Sequence, residues 1–281
     1  MNADFKQKVN DFIENILDDN DFVNDVFDSN NISEFMKFFA QYRDKVVDVD
    51  SSGQEAFCYA VFKILQDNFS LEDLRKNSDI VPPGYYFAYC IEKNVKDINL
   101  VDWKGGWDHY TDNYFSFWYG YSDLKNIQLD RLTVNNDILL YELFTALFDA
   151  KSGLDSGHIN TLLIVDDVGS LVKFNFLGSK DFTIDNVILD NSSHINVSGL
   201  NIKTLSLSNI FIPEFKWDNW SRLDYIDITD VDSDNSGVIV LPPWFISMLL
   251  RSDTKILLNH GQKLRVQKIF TAKIKERLQY K

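Results

Sequence analysis

The sequence predicts an α+β chain, with a helical subdomain over residues 1–80 and a β/α region over 81–281 that ends in a C-terminal basic helix. Three observations carry this. Apolar residues recur at helical spacing before residue 80, a proline pair interrupts that spacing at 82–83, and a short apolar alternation then returns several times. An irregular all-β or α+β stack of short strands is the alternative that yields the same alternation.

The helices come first. Phe5, Phe12, Ile13, Ile16 and Leu17 fall at helical spacing, as do Phe35, Met36, Phe38, Phe39 and Tyr42 behind Ser33, a residue type that caps helices. Ala56, Phe57, Ala60, Val61, Ile64 and Leu65 fit a third helix, and "SLED" from Ser70 has the form of a capping box with Asp73 in place of Glu. At Val81 to Tyr86, "VPPGYY" breaks the periodicity, because Pro82 and Pro83 lack donors and Gly84 permits a turn; the domain boundary is expected there.

Beyond it the frame apolar-x-x-apolar-x-apolar recurs at Val95/Ile98/Leu100, Leu124/Ile127/Leu129, Ile159/Leu162/Ile164, Ile184/Val187/Leu189, Ile202/Leu205/Leu207 and Leu223/Ile226/Ile228. The starts are separated by 29, 35, 25, 18 and 21 residues, and the widest gap holds a helix expected over Ile138 to Phe148. A further match, Leu171/Phe174/Phe176, falls out of period. The last segment, from Gln262, places Val266, Ile269, Phe270, Ile274 and Leu278 on one helical stripe with lysines and arginines around it, which predicts the basic helix packing on the domain end.

The recurring frame resembles the leucine-rich repeat family, whose rungs follow L-x-x-L-x-L-x-x-N at a period of about 20 to 29 residues. The resemblance spans roughly residues 95–250 and is best over 184–245, where "IKTLSLSNI" and "LDYIDITDV" carry the frame and "VLPPWFISML" matches the segment that follows the strand in many such repeats. It departs in lacking the asparagine ladder, with Asn209 one place early and Val231 in the asparagine's place, and in replacing leucine by isoleucine, valine and phenylalanine. It implies a solenoid whose ends are capped by the flanking helices.

Composition bounds the function. The net charge is −14 and the pI about 4.6, which argues against direct binding to nucleic acid and favours basic proteins as partners. The charge is uneven: residues 1–50 carry twelve acids against five bases, residues 251–281 nine bases against two acids. No run of about 18 apolar residues occurs and the start lacks a secretory signal pattern, which predicts a soluble, cytoplasmic protein with no membrane contact. Cys58 and Cys90 sit in apolar settings and read as buried thiols.

No catalytic signature stands out. "DVDSDNSG", Asp230 to Gly237, alternates carboxylates as a calcium loop does, but Asn235 and Leu241 occupy the places of its glycine and bidentate glutamate. His109, His158, His194 and His260 lie far apart, and no P-loop, dinucleotide fingerprint or nucleophile elbow is present, so neither cofactor nor metal is expected. "DWKGGWDHYTDNYFSFWYGYSDL", Asp102 to Leu124, is the most aromatic stretch; it reads as core filling or as a contact surface with Trp107, Tyr110 and Trp118 as anchors.

If the frames form neighbouring strands, the residues between their apolar positions face outward. That face comprises Asp185, Asn186, Asp190, Lys203, Thr204, Ser206, Ser208, Asp224, Tyr225, Asp227 and Thr229, and it is acidic and hydroxyl-rich. The resulting expectation is a non-enzymatic intracellular protein-binding or inhibitor protein whose acidic surface meets a basic partner. The abundance of Asn, Asp, Ile, Lys and Phe fits an AT-rich bacterial or phage genome, where an immunity or anti-defence protein is the analogous role. The alternatives are a DNA-mimicking nuclease inhibitor using the acidic residues 11–50, and an enzyme acting on a carbohydrate or nucleotide through residues 102–124 with Asp108, His109 and Asp112.

Overall fold

The helices expected before residue 80 form in part, with changes at their ends. In the computed structural model the described residues are 3–17, 31–37, 39, 51–101, 103, 126–134, 156–165, 171–175, 181–191, 194–198, 201–210, 216–218, 223–231 and 237–281. They fall in two units, one of Met1–Lys96, Asp102–Ile127 and Glu142–Asp155, the other of Asp97–Val101, Gln128–Tyr141 and Ser156–Lys281. The helix expected over 138–148 lies outside the described residues.

In the first unit, α1 (Ala3–Leu17) lays Phe12 edge-on against Phe57 of α2 (Ser51–Asn68), with ring centroids 5.6 Å apart. Ala56, Phe57, Ala60, Val61, Ile64 and Leu65 of α2 are buried as expected, and so are Cys58, Tyr59 and Phe62 on its other sides. A helix apolar nearly all round is a central one. Residues 32–37 are helical, but the cap is Asn31, whose Oδ1 accepts from the backbone N–H groups of Ser33 (3.1 Å) and Glu34 (3.2 Å); the expected cap, Ser33, lies inside the helix. Phe39 from this segment stacks on Phe57 at 5.2 Å.

The capping box is present at α3 (Leu71–Lys76): Ser70 Oγ accepts from Asp73 N at 3.1 Å, and Asp73 Oδ2 accepts from Ser70 N at 2.9 Å. "VPPGYY" does not end the helical part. It opens α4 (Pro83–Glu92), since a proline in the first turn forfeits only a donor that has no intrahelical partner there. Tyr85, Phe87 and Cys90 of α4 are buried. Past its end Asn94 takes the left-handed conformation (φ 55°), its N–H reaching Ile91 O at 2.9 Å and the Val95 N–H reaching Cys90 O at 2.9 Å, which together close the helix in a Schellman motif.

The second unit is built of short strands: β1 (Asp97–Asn99), β2 (Asn126–Val134), β3 (Ser156–Val165), β4 (Leu171–Asn175), β5 (Asp181–Asp190), β6 (His194–Ser198), β7 (Asn201–Ser208), β8 (Lys216–Asp218), β9 (Tyr225–Asp230), β10 (Val238–Val240), β11 (Lys255–Leu258), β12 (Lys263–Arg265) and β13 (Leu278–Tyr280). Eight of them form one sheet in the order β1-β2-β3-β5-β7-β9-β11-β13; β4-β6-β8 and β10-β12 form two smaller sheets. The described pairings are parallel. From β3 to β9 the chain thus alternates between the large sheet and the three-stranded one, which supplies the crossover that parallel neighbours require.

The sequence frames occupy neighbouring strands in register. Ile159 lies beside Ile184 and Ile184 beside Ile202; Leu162, Val187, Leu205, Ile226 and Ile256 form the next row; Ile164, Leu189 and Leu207 the third. All are buried. Leu171 and Phe174 of the out-of-period match lie in β4, in the smaller sheet, where Phe174 is in register with Val197; Phe176 lies outside the described residues. One frame was misplaced: Ile98 pairs with Leu132, not Ile127, so β2 uses Leu129/Leu132/Val134 beside β1.

The C-terminal basic helix is not formed. After α5 (Pro243–Arg251) and β11, the chain from Lys263 makes β12, a 3₁₀ turn (Lys268–Phe270), the short helix α6 (Thr271–Lys275) and β13. β12 and β13 give their backbone groups to β10 and β11, so pairing replaces a continuous helix. Of the expected stripe only Ile274 is buried, and Ile269 is 77% exposed. No helix among the described residues is long and apolar enough to cross a membrane.

Candidate functional site

The outward face of the large sheet gathers most of the residues singled out by the sequence. Ile184 and Val187 are both buried although they lie three apart, so the alternation breaks once between them and two consecutive residues, Asp185 and Asn186, face outward. The same pair recurs as Asp130-Arg131, Asn160-Thr161, Lys203-Thr204 and Asp224-Tyr225. Two polar rows result, and a third outward row follows the middle apolar position.

The first row is held by side chains. Asn160 Nδ2 donates to Asp130 Oδ1 at 3.0 Å, and Asp185 receives Lys203 Nζ at 2.5 Å on one oxygen and His158 Nε2 at 3.2 Å on the other. The Lys203 ammonium, with His158 close on the other side, holds the Asp185 carboxyl below the usual carboxylate range against the opposing effect of partial burial. Asp224 at the end of this row is exposed.

The second row runs Thr161, Asn186, Thr204, Tyr225 and Lys255. Its side chains up to Tyr225 are half-exposed, and Lys255 Nζ lies 5.7 Å from the centre of the Tyr225 ring, a cation–π contact. The third row runs Leu163, Ile188, Ser206, Asp227, Leu257 and Gln279. Asp227 departs from expectation: it is buried, its Oδ2 ion-paired with Lys281 Nζ and its Oδ1 accepting from Thr229 N at 3.0 Å. It is therefore committed within the fold and not offered to a partner.

At the strand ends, Asp190 Oδ1 accepts from Asn209 Nδ2 at 2.6 Å, while Ser208 and Thr229 are half-exposed. The face is accordingly less acidic than the sequence suggests, because Asp185 and Asp227 are neutralised by Lys203 and Lys281. It is also more apolar: Leu163, Ile188 and Leu257 lie on it half-exposed, and all three follow directly on a buried frame residue. Lys255 and Lys281 are not singled out by the sequence, and His158 reads there as an ordinary histidine without metal spacing. Lys255 was missed because its strand has Asp253 at the first frame position, so only the second half of the pattern, Ile256 and Leu258, is apolar.

Trp107, Tyr110 and Trp118, with Asp108, His109 and Asp112, lie outside the described residues. The one described aromatic of that stretch, Trp103, is core: its Nε1 donates to Val81 O at 2.7 Å and its ring lies 4.8 Å from that of Tyr86. Cys58 and Cys90 are buried thiols outside any disulfide, and burial pushes the Cys90 thiol up to about 11, the direction opposite to an activated nucleophile. Among the described residues no group of three or more His, Cys, Asp or Glu is placed to hold a metal ion. What the face offers is a broad array of hydroxyl, amide and aromatic groups, suited to contact over an area. Compared with known proteins, the chain matches no family model, no curated protein and no solved structure.

Proposed function

We propose that the protein is a non-enzymatic binding protein that recognises another protein through the outward face of its eight-stranded sheet, with Tyr225 as the anchor. The observation that supports this is the in-register row Thr161, Asn186, Thr204, Tyr225 and Lys255, where short adaptable hydrogen-bonding groups flank an aromatic ring. Half-exposed Ile188 and Leu163 add apolar area beside the row. Exposed Asp224 and Asp230 at its margin favour a partner with basic groups opposite them, and their part is steering more than affinity.

The leucine-rich-repeat reading of residues 95–250 belongs to the same proposal, supported by strands that join the large sheet in chain order and carry one apolar frame. An inhibitory role, of the immunity or anti-defence kind, rests on analogy. Affinity capture from the native host with wild-type protein and with a Thr204→Arg, Tyr225→Ala variant tests the reading. Both substituted side chains are half-exposed, so the variant should fold, and partners specific to the sheet face should be lost from its eluate. Retention of every captured partner by a folded variant removes the face from the proposal.

A further inference from the structure

The last coil reverses the charge of the chain. Of 28 bases and 42 acids, nine bases and two acids lie in residues 251–281, which leaves 19 bases and 40 acids in residues 1–250. Arg251, Lys263, Arg265, Lys268, Lys273 and Lys275 are exposed and make no ion pair among the described residues, whereas Arg277 and Lys281 are engaged with Asp253 and Asp227. Lys263 and Arg265 lie two apart on β12 and so project from the same side, and the 3₁₀ turn that follows carries Lys268.

Apolar groups sit among these cations. Ile269 is 77% exposed and Trp244 38% exposed. Val240 pairs with Arg265, and Trp244 and Ile269 each follow four residues after that pair, one on each strand's continuation. Ordinary solvated surface intersperses both signs of charge and keeps large apolar side chains scattered. Here bases predominate over residues 251–281, and Ile269, directly after Lys268 in the chain, is exposed among them in sequence.

We propose that this basic end docks onto the acidic surface of a second copy of the chain. Charge complementarity selects that occupant: residues 1–250 of every copy carry the opposite sign in excess, and α1 displays exposed Asp11 and Glu14. A phosphate backbone would offer Ile269 no apolar counterpart, while a protein surface does. The two contacting surfaces differ, so the association builds rings or open chains unless both contacts are made reciprocally within one closed pair. Being largely electrostatic, it weakens with salt.

Sedimentation velocity of the full chain over a range of concentrations, at salt of about 0.03 M and about 0.5 M, tests this. The expected result is a mass that rises with concentration at low salt and falls to the monomer at high salt. A Lys268→Glu, Lys273→Glu variant with unchanged thermal unfolding should stay monomeric in both. A wild-type chain that is monomeric throughout, or a variant that associates as the wild type does, overturns the proposal. So does a monomeric wild type that binds duplex DNA or phosphatidylserine vesicles through the same lysines, which would assign the end to a polyanion instead.

Discussion

Lys281 pairs its Nζ with Oδ2 of Asp227, 54 residues earlier in the chain. The Asp227 side chain is only 9% exposed, while that of Lys281 is 52% exposed, so the pair joins a buried anion to a half-solvated cation across the edge of the large sheet. Lys281→Met should leave the carboxylate buried without its cation and cost about 1–3 kcal/mol, less than a fully buried pair because water reaches the lysine. Urea unfolding checks this. Lys281→Arg should recover most of the loss, and equal midpoints for wild type and Lys281→Met would refute the assignment. Asp227→Lys is consequently a stability mutation, unsuited to mapping a partner.

The Asp185 carboxyl titrates below its ordinary range because the Lys203 ammonium, with His158 nearby, favours its charged form. The folded value is lowered, so the unfolded chain binds more protons between the two pKa values, and stability there rises with pH. This contribution is present above about pH 4 and is lost as pH falls through the folded value. Unfolding midpoints measured from neutral pH into acid should fall less steeply in Lys203→Met than in the wild type. An identical slope would show that Lys203 does not stabilise the carboxylate.

Thr254 is fully buried, its Oγ1 donating to Leu223 O at 3.0 Å and lying 2.7 Å from Ser252 Oγ. Thr254→Val keeps the shape but strips a buried carbonyl of its partner. A loss of about 1–3 kcal/mol is expected by thermal unfolding, and Ser252→Ala should cost less because Ser252 is only partly buried.

Asn191 and Asn209 end β5 and β7 two residues after Leu189 and Leu207, and both take left-handed backbone, at φ 62° and 52°. Asparagine tolerates that region through its short polar side chain, whereas a β-branched residue does not. Asn191→Val and Asn209→Val should each lower the melting temperature. At Asn209 glycine should recover only part of the loss caused by valine, since the Asn209 Nδ2 bond to Asp190 is gone.

These asparagines show where the sequence was legible and where it was not. The family's asparagine stands one place later than Asn191 and Asn209, yet the apolar frames of β3, β5, β7 and β9 are legible in the sequence, because burial in rows selects the same residue types on each strand. The frame of β2 was misplaced because Leu124/Ile127/Leu129 and Leu129/Leu132/Val134 share Leu129, and only pairing with β1 separates them. Ser33 is a capping residue type, but Asn31, two residues earlier, has the oxygen that reaches the free N–H groups. The segment after Gln262 fits a helical stripe, but strand partners at β10 and β11 satisfy its backbone instead.

By itself the sequence determined which side chains leave water: Ile184, Val187 and Leu189, Ile202, Leu205 and Leu207, and the aromatic face of α2 are buried as their spacing demands, since hydrophobic burial depends on residue type and period. The tertiary structure decided which polar groups remain available. Asp185 and Asp227 look alike in the chain as outward carboxylates, but Lys203 comes to the first from the neighbouring strand and Lys281 to the second from the C-terminal end. Such pairings join residues far apart in sequence, so they exist only once the order of strands in the sheet is set.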